Sequence, residues 1–89
     1  MALDIEGILA DLHAVETELQ KLEAKYGILS PDFYDVYMRG ETEENPDFHA
    51  WAAYYEIKLK RERMYRDRVA NPEAARTRLD ERCRRLLAA

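Results

Sequence analysis

Two histidines and one cysteine are the residues of this 89-residue chain with the widest chemical range, and neither type sits in a pattern that completes a site. A zinc or di-iron centre on helices needs a His and carboxylates at i, i+3 or i+4, converging with further ligands. His13 has Glu16 one turn later, but the Glu-x-x-His order of di-iron bundles occurs nowhere, and His49 stands alone. The sequence therefore predicts no metal and no cofactor. Nucleophilic catalysis needs a Ser, Thr or Cys beside a base and an orienting group. Ser30 directly precedes Pro31, as a helix cap would, and Cys83 lies among arginines that would make a thiol oxidisable. No glycine-rich phosphate loop is present. A three-helix chorismate-mutase-type enzyme has about this length, yet its first helix must bring a cation to the site. Here that stretch offers only Lys21 and Lys25, near its end. No catalytic residue is assigned, and the chain is expected not to be an enzyme.

What remains is charge, and it is divided. The net charge of −4 hides an acidic part and a basic part. Residues 1–57 hold three Lys and Arg against thirteen Asp and Glu, a net of −10; residues 58–89 hold eleven against five, a net of +6. Such asymmetry points to intramolecular pairing, an anionic partner, or both. Arginines in the basic part can neutralise phosphates, although no helix-turn-helix, ribbon or finger signature accompanies them.

These residues must be positioned by helices. Ile5, Ile8, Leu12, Val15, Leu19, Leu22 and Tyr26 are spaced 3, 4, 3, 4, 3, 4, a heptad seam that packs along another helix at a shallow angle. Gly27 supplies a C-cap, so a first helix is expected over about 3–26. Ser30-Pro31-Asp32 starts a short helix over about 31–39, closed by Gly40 and followed by the acidic loop Glu41-Thr42-Glu43-Glu44. Asn45-Pro46-Asp47 starts a third over about 46–70, with Phe48, Trp51, Ala52, Tyr55 and Leu59 on one face as core. Tyr54, Ile57, Met64 and Tyr65, with Arg61 and Arg68, form a second face offered as a contact surface. Asn71-Pro72-Glu73 opens an arginine-rich helix over 71–89, with a thin stripe of Ala75, Leu79, Cys83 and Leu86.

Tyr26-Gly27, Ser30 with Phe33, Gly40, the acidic loop, and Asp47-Phe48 followed by Trp51 resemble small helical antitoxin-like proteins of prokaryotic toxin–antitoxin pairs. The resemblance spans about residues 22–65. It implies a protein that masks a toxin by direct contact and transfers no catalytic residue. The arginine-rich region after Asn71 lies outside that pattern.

The expectation is an all-α fold: a helical hairpin of two long helices, a short bridging helix and a basic C-terminal helix. Residues 1–70 would form the core and 71–89 an arm. Ile5, Ile8, Leu12, Val15, Leu19 and Leu22 form the expected self-association seam of a homodimer or hetero-complex with coiled-coil packing, because seven seam positions exceed one thin helix face. Arg76, Leu79, Arg82, Arg85 and Leu86 are the candidate partner contacts, expected to meet a protein partner such as a toxin. The rival reading is a small coiled-coil accessory protein that contacts RNA or DNA through basic residues 58–89. One cysteine and no secretory leader or membrane-length apolar run place the expectation in the cytoplasm.

Overall fold

The computed structural model describes residues 4–69 and 71–88 as four helices: α1 (Ile5–Tyr26), α2 (Ser30–Met38), α3 (Pro46–Arg68) and α4 (Pro72–Ala88). The expected helix limits at residues 3, 70 and 89 lie outside the described residues. Local chemistry accounts for most helix ends. The Asp4 carboxylate accepts from the Gly7 N–H at 2.7 Å, and Gly27 closes α1 at φ 69°, where a Cβ would be strained. The Asn45 side chain caps α3 by accepting from the Asp47 N–H at 2.9 Å, ahead of Pro46 in the first turn. Asn71 does the same for α4, accepting from the Ala74 N–H at 2.8 Å.

Helices α1 and α3 form an antiparallel hairpin whose register is marked by two ion pairs. Lys25 meets Asp47 at 2.6 Å and Asp11 meets Arg61 at 2.9 Å. The pairs lie 14 residues apart on each helix (11 to 25, 47 to 61) in opposite senses, or about 21 Å of matched length. Along that length Ile8, Leu12, Val15 and Leu19 are buried within the single chain, and Ile5, Leu22 and Tyr26 are half-buried. The seam is thus covered from within by α3, with α2 adding to its later part. It does not supply the homodimer surface that its seven positions suggested.

The core sits at the end of the hairpin where α2 crosses. Leu19, Phe33, Trp51 and Ala52 form the buried cluster, with Leu22, Tyr26, Ile28, Tyr34, Tyr37, Phe48, Tyr54 and Tyr55 packed around it. Phe33 stacks on Trp51 with centroids 3.9 Å apart and planes within 2°. Two expectations need correction here. Ser30 is not a cap: Leu29 holds the N-cap position, and Ser30 begins the helix with its side chain turned into the core. Its hydroxyl accepts from Trp51 Nε1 at 2.9 Å and donates to Glu23 at 2.7 Å. The second face of α3 is only partly free: Tyr54 packs on the core and Arg61 turns to Asp11 and the Met64 sulfur, while Ile57 and Arg68 are exposed. Leu59, expected as core, is half-buried. No helix among the described residues is long and apolar enough to cross a membrane.

Candidate functional site

Helix α4 differs from the others in having nothing to pack on. It contains 17 residues and none is buried. The chain is 53 Å long, against about 35 Å for the 23-residue α3, so α4 adds length and not a third layer. Leu79, Leu86 and Leu87 are 63, 69 and 87 % exposed. At about 100° per residue, Ala75, Leu79 and Leu86 fall within about 40° of one another, with Cys83 on their shoulder. On the same geometry Arg78, Arg82 and Arg85 border this stripe on one side and Arg76 on the other, while Glu73 and Asp80 point away. The result is an apolar ridge rimmed by guanidiniums. Burying a leucine side chain contributes about 1.5–3 kcal/mol, so the ridge stores contact energy that the chain itself does not use.

The edge of α4 turned toward α1 carries charge. Asp4, Ile5, Glu6, Arg68, Arg78, Glu81, Arg82 and Arg85 line an open cleft of about 480 Å³ between the start of α1 and α4. Arg82 crosses it to Glu6 at 2.5 Å. Of the five candidate contact residues, Leu79 and Leu86 thus lie on the ridge and Arg76 on its outer rim. Arg82 is held by Glu6, and Arg85 faces the cleft. Cys83 is a free, exposed thiol.

The other chemically capable residues serve the fold. His13 is exposed on α1, and its carbonyl accepts from the Thr17 hydroxyl at 3.0 Å. His49 Nδ1 meets the Tyr37 hydroxyl at 3.1 Å, and Glu44 lies 3.8 Å from its other ring nitrogen. The sequence reading missed a polar cluster where α1 ends beside α3. Asp47 accepts from both Lys25 and the Tyr26 hydroxyl at 2.6 Å, and Asn45 donates to Tyr26. The hydrogen bond from Lys25, then that from Tyr26, holds the Asp47 carboxyl below its ordinary value, and Asp47 in turn raises Lys25. A hydrogen bond to Glu56 raises the Tyr34 phenol. No spacing in the sequence announces these contacts, since each joins residues 19 to 22 apart that meet only once the helices pack.

Comparison of the chain with protein-family models, with curated proteins and with solved structures yields no match.

Proposed function

We propose that this chain is a protein-interaction module that masks a partner protein by direct contact, as an antitoxin masks its toxin, and that α4 is the contacting element. The observation that carries the reading is the exposure of Leu79, Leu86 and Leu87 on a helix with no buried residue. An isolated helix of 17 residues is marginal in water, and an amphipathic helix seated in a groove is a recurrent way of binding proteins. Arg76, Arg78, Arg82 and Arg85 around the ridge favour an acidic partner surface and oppose pairing of one α4 with another. The hairpin and α2 serve as the platform. The lone free cysteine suits a reducing compartment, and we place the protein in the cytoplasm on that ground.

The test is co-expression with the product of the gene neighbouring its own. Relief of a growth arrest caused by that product, lost in Leu79→Asp and Leu86→Asp variants that fold normally, supports the reading. A neighbouring product that arrests growth and is not relieved by the intact chain overturns it. Binding to RNA or DNA that weakens steeply with salt, and that depends on arginines within 58–89 but not on Leu79, favours the nucleic-acid reading instead.

A further inference from the structure

We propose that the open cleft between the start of α1 and α4 is a binding site for a run of phosphate groups, held by the guanidiniums of Arg68, Arg78, Arg82 and Arg85.

Two helices deliver these charges to one place. Arg78, Arg82 and Arg85 follow one another along one edge of α4, a row about 10 Å long, and Arg68 comes from the last turn of α3. All four line the same cleft of about 480 Å³, which is within the size range of ordinary ligand pockets. Every basic residue there is an arginine, and no lysine occurs in the sequence after Lys60. The distinction matters because a guanidinium grips two oxygens of a phosphate through a planar fork, whereas an ammonium offers a point charge.

The carboxylates of the cleft do not neutralise this charge. Glu6 pairs with Arg82. Asp4 is committed to the first turn of α1, where it accepts from the Gly7 N–H. Among the described residues, Arg68, Arg78 and Arg85 have no carboxylate within ion-pair distance, that of Glu81 included. Three guanidiniums facing one opening repel one another, and α4 buries nothing that would offset the repulsion. A single carboxylate would satisfy one of them and still face Glu6 and Glu81. An anion with several charges along its length satisfies the row, and that is the chemistry of linked phosphates, whether in a free triphosphate or in a nucleic-acid backbone. The site lies on the α1 side of α4. A ligand there leaves Leu79, Leu86 and Arg76 uncovered, so the site adds to the protein contact proposed above and does not depend on it.

Sodium triphosphate, titrated calorimetrically into the full-length chain at low salt, should bind saturably with one equivalent per chain. Arg78→Gln and Arg85→Gln should each weaken it about tenfold or more, as loss of a charge-assisted hydrogen bond does. Arg76→Gln, which removes the same charge from the opposite rim of the ridge, should leave it nearly unchanged. Glu6→Gln, which frees Arg82 and removes a repelling carboxylate, should tighten it severalfold. All four residues are exposed, so helicity and melting should stay those of the parent. A short single-stranded RNA without terminal phosphates separates the two sources. Binding that competes with triphosphate and depends on Arg78 assigns the site to a nucleic-acid backbone, and triphosphate binding without it assigns the site to free phosphate chains. No saturable triphosphate binding, or equal weakening in Arg76→Gln and Arg78→Gln, overturns the site.

Discussion

Replacing Ser30 with alanine probes the most consequential contact that the sequence concealed. Ser30 is 1 % exposed, and its hydroxyl joins a fully buried tryptophan to a carboxylate, accepting from Trp51 Nε1 and donating to Glu23. Alanine leaves the indole N–H without an acceptor in a site that water does not enter, which costs about 1–3 kcal/mol. Glu23 keeps its bond from the Ser30 backbone N–H at 2.8 Å, so the carboxylate is only partly released. The expected loss is about 2–3 kcal/mol, a shift of roughly 10–20 °C in a domain of this size. Thermal and urea unfolding followed by circular dichroism measure it. Two controls separate this account from a helix cap, where alanine costs about 1 kcal/mol and aspartate substitutes well. Ser30→Asp should be worse than alanine, because it buries a carboxylate against Glu23. In a Trp51→Phe background, which removes the indole donor, Ser30→Ala should cost about 1–2 kcal/mol less. A Ser30→Ala loss under about 0.5 kcal/mol, the range of ordinary surface changes, would refute the reasoning.

Leu12→Asp should abolish cooperative melting, because Leu12 is 7 % exposed within the single chain and large-to-small changes at such sites already cost about 2–5 kcal/mol. A well-folded monomer on sedimentation would instead mark the seam as an interface between copies. Truncation after Ala70 should move the midpoint by less than about 4 °C, since α4 buries nothing and surface changes stay within about 0.5 kcal/mol; a collapsed fold would make α4 part of the core. The Asp47 carboxyl sits below its ordinary 3.8, so its contribution is complete above that value and is lost as pH falls through the lowered one. Acid titration of stability should be shallower in Asp47→Asn, and an unchanged acid limb would remove Asp47 from the account.

The hairpin was legible because a heptad seam, a Gly C-cap and two Asx-or-Ser-Pro starts are local signals, and α1, α2 and α3 begin and end close to where those signals lie. Trp51 as core was legible for the same reason, being on the one face with Phe48, Ala52 and Tyr55. Ser30 was not. A serine before proline reads alike whether it caps the first turn or begins it, and one residue of phase turns its hydroxyl from the helix end to the core. What decides the matter is Glu23 and Trp51, brought from two other helices. The surplus of seam positions was misread because a single narrow face of α3 was assumed to cover them, whereas α2 also packs over the later ones, Leu19, Leu22 and Tyr26. The split of charge was visible, but its most specific consequence, Arg82 on Glu6 across 76 residues of sequence, depends on where α3 ends. The thin stripe of α4 and its arginines were readable directly. That the stripe is left without a partner inside the chain is known only from the fold.

The most direct test of α4 as a protein-binding element is the affinity of the full-length chain and its Leu79→Asp variant for the neighbouring gene product, by calorimetry at about 0.05 and 0.2 M salt. Removing one leucine from a buried contact forfeits about 2 kcal/mol or more, a loss of about 30-fold or greater. The account predicts that loss at both salt concentrations, with the parent affinity weakening only a few-fold between them as the arginine rim is screened. Retained affinity in Leu79→Asp, with binding that falls about 10³-fold or more over the same salt range as phosphate contacts do, would contradict it.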